Sequence, residues 1–145
     1  MNALQKIIND NQEFESQLAE RKHKDIATKL ASMITETYEI PTQDYRAKTI
    51  YLSEFPNKHC GIQISSDSKS CQLYIPDFIH VRDESEALSK AKAMFKTEVR
   101  ARIERNTGYG DYVSIFMTVP EDFESNPKLL ADIARICAAA NFKIK

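Results

Sequence analysis

The apolar positions of the first 39 residues recur at the spacing of an α-helix. From Leu4 to Ile34, most of these apolar residues are separated by three or four residues or by a multiple of three or four. No proline or glycine occurs before Pro41. One helix over residues 2–39 would be about 57 Å long at 1.5 Å per residue, whereas a domain of this size is roughly 40 Å across. Residues 1–40 are therefore expected either to break or to form an N-terminal helical arm that overhangs the domain.

Two places in this segment could interrupt the helix. Asp10 followed by Glu13 fits a capping box, which marks a helix N-terminus, and residues 20–25 form a polar run. Of the two, the sequence favours the break at Asp10. It predicts a short first helix followed by a long second one.

The middle of the chain predicts short antiparallel strands. Apolar and polar residues alternate in two runs that are separated by the turn-forming residues Asp67-Ser68-Lys69. This pattern is typical of a hairpin with one buried face. The predicted strands are 47–53, 59–66 and 70–76, with a further short strand at 78–81.

Residues 84–106 have the pattern of an amphipathic helix. Leu88, Ala91, Phe95, Val99 and Ile103 lie three or four residues apart and would form one apolar stripe. The glycine-containing run 107–111 would end it.

The last third of the chain predicts a strand and a helix. Residues 112–119 are the most β-prone run, with apolar residues on both faces, which is typical of a central or covered strand. Asn126 followed by Pro127 predicts the N-cap and first position of a helix over 127–140. Residues 142–145 could add an edge strand. The predicted buried side of the last helix is Leu130, Ile133, Ala134, Cys137 and Ala138.

These elements predict one α+β domain over residues 1–145, with no internal repeat. Its order is ααβββαβα with the optional C-terminal edge strand, and helices pack on an antiparallel sheet of four to five strands. At 145 residues the chain can bury enough apolar surface to fold without a disulfide or a metal.

Composition limits the expected cellular location of the protein more than its expected function. Twenty basic and 21 acidic residues give a net charge of −1, so the chain as a whole does not attract nucleic acid or anionic lipid. No run approaches the roughly 20 apolar residues of a membrane span, and the N-terminus lacks the pattern of a signal peptide. Three cysteines are an odd and sparse set, which favours a reducing, cytoplasmic location.

Five basic residues of the predicted helix 84–106 are candidate contacts. Lys92, Lys96 and Arg100 are spaced four residues apart and would form one row, which Arg102 and Arg105 follow. Such a row could contact phosphates or an acidic protein surface. The alternative is a solvated helix face, because acidic residues intersperse the row and cations near a helix C-terminus are favoured by the dipole.

The run Asn106–Asp111 is a second candidate, because it holds two of the three glycines. It could bind an anion through backbone N–H groups, although a helix cap and turn is the simpler interpretation. Tyr109 is the aromatic residue most expected at an exposed loop tip. A minor hypothesis places an enzyme site near Tyr109 and Asp111.

Aromatic residues of the predicted strands are a third candidate. Tyr51, Tyr74, Tyr112 and Phe116 are expected on the outward face of the sheet. There they could stack on bases or anchor a protein contact, or a helix could cover them.

A metal site is not expected. His59, Cys60, Cys71 and His80 could gather, but the chain lacks the closely spaced cysteine or histidine pairs of zinc sites. Cys60, Cys71 and Cys137 fall on inward positions and are expected to be buried. We predict no metal and no cofactor.

Residues 71–100 resemble the core of HicB-type antitoxins, intracellular regulators that bind a partner toxin and DNA. The resemblance rests on a strand, Pro76-Asp77-Phe78, a short strand, an acidic cap and the run from Glu86 to Ala93. The Gly-Cys turn of that family is absent, since His80 and Val81 stand in its place. The resemblance implies a β-hairpin packed against the helix that starts at residue 84.

These observations predict a non-enzymatic regulator or inhibitor, of the phage or mobile-element type, that acts through protein–protein contacts. Its simplest form is a homo-oligomer that associates through residues 10–39. The alternative is a nucleic-acid-binding regulator that uses the basic row of helix 84–106.

Overall fold

The computed structural model describes residues 2–40, 42–46, 48–53, 62–76, 83–107 and 110–145. It has an α+β architecture with a long N-terminal helix and an antiparallel sheet, as predicted. The helices are α1 (Ala3–Thr37), α2 (Glu84–Met94) and α3 (Pro127–Ala139), with a 3-10 turn at Phe123–Ser125. The strands are β1 (Tyr38–Glu39), β2 (Thr42–Arg46), β3 (Thr49–Ser53), β4 (Ile62–Ser66), β5 (Cys71–Ile75), β6 (Arg100–Thr107), β7 (Gly110–Thr118) and β8 (Lys143–Ile144).

Helix α1 is continuous, so the predicted break at Asp10 is wrong. The capping box forms instead at the start of the chain: the Asn2 side chain accepts the Gln5 N–H at 2.8 Å, and the Gln5 side chain accepts the Asn2 N–H at 3.0 Å. A cap at Asp10 would require a non-helical backbone there. No glycine or proline between residues 3 and 37 disrupts the helix.

Within the described residues, the main sheet contains six strands in the order β2-β3-β4-β5-β7-β6, all antiparallel. β7 lies between β5 and β6, which fits the interior position predicted for residues 112–119. The short strand β8 pairs with β1 in a separate two-stranded ribbon, where Ile144 lies opposite Tyr38.

The hydrophobic core lies on one face of the sheet. Inward residues such as Ile64, Leu73 and Ile115 are fully buried, and they share one cluster with buried residues of all three helices. The helices therefore pack on the same face. From α1, this cluster takes Ile26, Ala27, Leu30, Ala31 and Ile34.

Helix α2 ends at Met94, so the predicted helix 84–106 is wrong beyond that residue. Phe95 is extended, and β6 begins at Arg100. Val99 and Ile103 are four residues apart, but with Ala101 they also alternate with polar residues. Both periods fit the same letters, and the structure uses the strand period.

A contact from α3 accounts for the end of α2. The fully buried Asp132 carboxylate accepts hydrogen bonds from the Lys96 and Thr97 N–H groups, at 2.8 to 3.0 Å, and from the Thr97 hydroxyl at 2.6 Å. Arg135 donates at 2.8 Å. These bonds hold the N–H groups that a longer helix would direct to carbonyls one turn earlier.

Burial acts to raise the pKa of Asp132, but the three hydrogen bonds from Thr97 and Lys96 and the charge of Arg135 outweigh it, and the pKa lies below its usual value. The carboxylate is therefore ionised at neutral pH. It serves as a structural anion between α3 and the turn after α2.

Helix α3 starts as predicted, because the Asn126 side chain accepts the Leu129 N–H at 3.1 Å and Pro127 follows. Its buried face is rotated from the predicted one. Ile133 and Cys137 are buried, but Ala134 and Ala138 are exposed, and Leu130 is half-buried. The missed buried positions are Leu129, Asp132 and Ile136.

The hairpin β4–β5 forms as predicted. The Asp67 side chain accepts the Lys69 and Ser70 N–H groups at 2.7 and 2.9 Å, and these bonds lower the pKa of its carboxyl. The hairpin packs on α1, while α2 contacts β6 and β7. The packing that the HicB resemblance implied includes residues 77–82, so it stays a prediction. The predicted strand at 78–81 lies outside the described residues.

Polar contacts attach the C-terminal half of α1 to the rest of the chain. Glu20 pairs with Lys48 at 2.6 Å, which raises the pKa of Lys48, and Lys22 pairs with Glu121 at 3.1 Å. His23 is half-buried, and its Nδ1 lies 2.7 Å from the Asp67 carbonyl oxygen. Among the described residues, these ion pairs of α1 begin at Glu20.

Candidate binding surfaces

The N-terminal part of α1 carries a row of exposed apolar side chains. We call residues 3–18 the projecting segment, because each of them is exposed and, among the described residues, the ion pairs between α1 and the rest of the chain begin at Glu20. The segment is about 24 Å long at 1.5 Å per residue. Its large apolar side chains are exposed: Leu4 by 66%, Ile7 by 57%, Ile8 by 46%, Phe14 by 61% and Leu18 by 47%.

This apolar row points in a different direction from the buried face of α1. At about 100° per residue, the mean direction of the row lies about 140° around the helix axis from that of the five buried residues between Ile26 and Ile34. The row is therefore not an extension of the face that packs on the sheet. It forms a second apolar surface on the same helix.

The row exposes a large apolar area to solvent. Five side chains exposed by about half leave roughly 500 Å² of surface in one strip, and patches of this size on a monomer are often functional. The interface predicted over residues 10–39 therefore contains two kinds of apolar residue. Buried residues within 26–34 already pack on the sheet, whereas the exposed apolar residues lie between Leu4 and Leu18.

The five basic residues do not form the predicted helical row. Lys92 is exposed on α2, and Lys96 is exposed in the turn that follows. Arg100, Arg102 and Arg105 lie on β6.

Because β6 is a strand, two of these arginines lie on a face of the sheet instead of on a helix. Arg100 and Arg102 point to the outward face of the sheet, since alternate strand residues share a face and Ala101 and Ile103 pack on the core. Arg105 lies beyond them near a register irregularity and pairs with Asp111 at 3.6 Å.

The outward face combines aromatic rings with these guanidinium groups. Tyr74 and Phe116 lie opposite each other on β5 and β7, and their rings stack at 5.2 Å. The Arg100 guanidinium lies 5.0 Å from the centre of the Phe116 ring, and that of Arg102 lies 5.5 Å from the Tyr74 ring. Arg102 also pairs with Glu104 at 2.7 Å, which raises the pKa of Arg102.

The prediction that four aromatics face outward is confirmed for Tyr74 and Phe116, which are half-buried, and Tyr51 and Tyr112 share their face. Tyr112 is only 9% exposed. A cavity of about 190 Å³ opens on this face beside Tyr74 and Arg102. The buried residue Ser114 also lines this cavity.

The described cysteines have no site chemistry. Cys71 and Cys137 are free and fully buried, and burial raises the pKa of each thiol to about 12. Within the described ranges, no three His, Cys, Asp or Glu side chains could hold a metal ion. His59, Cys60 and His80 lie outside those ranges, so the expectation that they bind no zinc stays a prediction.

The remaining sequence candidate, the run Asn106–Asp111, lies partly outside the described ranges. Tyr109 is outside them, so its predicted exposure at a loop tip and the enzyme site near it stay predictions. The acidic residues before α3 contact α1, where Glu121 pairs with Lys22 and Glu124 with Lys29. They fasten the loop to the helix.

No described helix is long and apolar enough to cross a membrane. Comparison with known proteins gives no relative: no family model matches the chain. No curated protein and no solved structure matches it either. The resemblance of residues 71–100 to HicB-type antitoxins gains no support from these comparisons.

Proposed function

We propose that this protein is a binding module that acts through protein–protein contacts, with the projecting segment of α1 as its contact surface. The carrying observation is the strip of five exposed apolar side chains on a helical segment, residues 3–18, in which every residue is exposed. An amphipathic helix with an unpaired apolar face is a recurring recognition element. The strip also has its own direction, separate from the face that stabilises the fold.

A pair of charge substitutions tests this proposal. Phe14→Glu with Leu18→Glu places two carboxylates in the strip, and we expect at least a tenfold loss of binding to any partner that uses it. The matched control is Gln12→Glu with Ser16→Glu, which adds the same charge on the other side of the same exposed segment. Both variants should keep the wild-type melting temperature within about 2 °C, because these positions lie outside the core.

The readout is quantitative mass spectrometry of proteins captured from extracts of the source cells by each immobilised variant, together with the self-association of each variant. A partner retained by the control and lost by the strip variant supports the proposal. Equal capture and equal self-association by wild type, strip variant and control would contradict it.

A second candidate function is the binding of single-stranded nucleic acid by the outward sheet face. The observation that favours it is the group of two stacked rings with a guanidinium beside each, formed by Tyr74, Phe116, Arg100 and Arg102. Aromatic rings and arginine planes on an open sheet are a common platform for bases.

Fluorescence anisotropy with labelled mixed-sequence DNA and RNA strands tests this candidate at low salt. Arg100→Ala with Arg102→Ala should weaken binding at least fivefold, and added salt should weaken the wild type. The control, Lys92→Ala with Lys96→Ala, removes two exposed charges outside this face and should have a smaller effect. Absence of binding by the wild type at low salt would exclude this function.

A further inference from the structure

The spacing within the projecting segment points to a specific occupant. Leu4, Ile7, Phe14 and Leu18 follow the a and d positions of a heptad repeat, with Asn11 at the a position between them. Ile8 lies at the flanking e position. This is the seam by which two α-helices pair in a coiled coil.

Resting on the proposed function of this segment, we infer that its partner is a second copy of this chain, joined in a parallel, in-register, two-stranded coiled coil through residues 4–18. In this arrangement each apolar layer meets its own equivalent. A single asparagine at an a position specifies register and the two-stranded state, because two such amides bond to each other across the seam. Asn11 therefore has a role in the pair that it lacks in an isolated helix.

The position of the sheet allows this pairing. The seam and the buried face of α1 point about 140° apart. In a parallel pair the two sheets therefore lie on the outer sides of the coil, away from each other. The seam ends where Arg21 and Asp25 occupy the next d and a positions, close to the ion pair that Lys22 makes with Glu121.

The contact area predicts a weak, reversible dimer. Roughly 500 Å² of apolar strip from each copy gives about 1,000 Å² in total, at the lower limit for a specific interface. In the parallel register, Asp10 of one copy also lies near Glu15 of the other, at g and e positions. Salt screens this like-charge contact and should strengthen the dimer.

Sedimentation velocity over about 5 to 500 µM protein tests the stoichiometry. We expect a concentration-dependent species of twice the 16.6 kDa chain mass, strengthened by salt. Phe14→Glu should abolish it, and Ser16→Glu should preserve it. Asn11→Leu should tighten association at least fivefold or produce larger oligomers. A wild type that stays monomeric throughout, or an Asn11→Leu variant that associates like wild type, would overturn the inference.

Disulfide cross-linking tests the orientation, in a Cys60→Ser background where the other two cysteines are buried. Leu4→Cys alone should form a cross-linked dimer under mild oxidation. An antiparallel pair would instead cross-link Leu4→Cys to Leu18→Cys in a mixture, and that result would contradict the parallel coil. If the chain is monomeric but Phe14→Glu with Leu18→Glu still loses a captured protein, the proposed function stands and only this inference fails.

Discussion

Replacement of Asp132 by alanine removes the anion that joins α3 to the turn after α2. Its carboxylate has no exposed surface and accepts hydrogen bonds from the Lys96 N–H, the Thr97 N–H, the Thr97 hydroxyl and Arg135. Alanine leaves two backbone N–H groups and one hydroxyl without their acceptor. Each unsatisfied buried donor costs about 1 to 3 kcal/mol.

The turn is partly accessible to water, since Lys96 is exposed and Thr97 is half-buried. We therefore take the lower part of that range and expect Asp132→Ala to reduce the free energy of unfolding by about 3 to 5 kcal/mol. Domains of this kind have about 5 to 15 kcal/mol in total. Asp132→Asn keeps one acceptor oxygen in place and should cost about 2 kcal/mol.

Urea denaturation followed by circular dichroism measures these differences. Arg135→Gln is the matched control, because it removes only the ion pair of a partly exposed arginine and should cost less than about 1 kcal/mol. An Asp132→Ala variant within about 1 kcal/mol of wild type would refute the idea that this carboxylate ends α2.

The same carboxylate predicts a pH dependence with a defined sign. The pKa of Asp132 is lowered in the folded state, so its stabilising contribution is complete above the unfolded carboxyl pKa of about 3.9. It is lost as the pH falls through the lower folded value. The stability difference between wild type and Asp132→Asn should shrink over that range, and a constant difference would contradict this assignment.

Two other predictions concern the core and the length of α1. In a Cys60→Ser background, Cys71 and Cys137 should resist a disulfide reagent at pH 8 until denaturant is added, because burial raises the pKa of each thiol to about 12; fast labelling of the native protein would show that they are accessible. Leu30→Ala should cost about 2 to 5 kcal/mol, since Leu30 is fully buried, whereas Leu4→Ala in dilute protein should cost less than about 0.5 kcal/mol; equal costs measured by urea denaturation would contradict the division of α1.

Local patterns predicted the elements whose partners lie nearby in the chain. The hairpin around Asp67 and the start of α3 at Asn126 depend on side chains within three residues, and both form as predicted. The end of α2 was predicted wrongly because Asp132, 35 positions away from Thr97, holds the Thr97 N–H. Where a sequence pattern fits both a helix and a strand, such a distant contact decides which one forms. The residues near the pattern do not contain this information.

The candidate surfaces likewise contain one feature that the sequence could predict and one that it could not. The overhang of the N-terminal helix follows from its length alone, but its interface was placed at 10–39 because the apolar residues were taken as one face. Leu18 and Ile34 point about 160° apart around an ideal helix, and this difference could have separated the two faces from the sequence. The pairing of Arg102 with Tyr74 could not have been found this way, since it depends on β5 and β6 lying on either side of β7.

Amide hydrogen exchange at two protein concentrations tests most directly whether the projecting segment is a contact surface for a second copy. At about 5 µM its amides should exchange rapidly, as expected for a helical segment whose side chains are exposed. At about 500 µM, exchange between Leu4 and Leu18 should slow at least tenfold, while the core around Leu30 serves as an unchanged internal standard. Exchange in the segment that is equally fast at both concentrations would contradict the account.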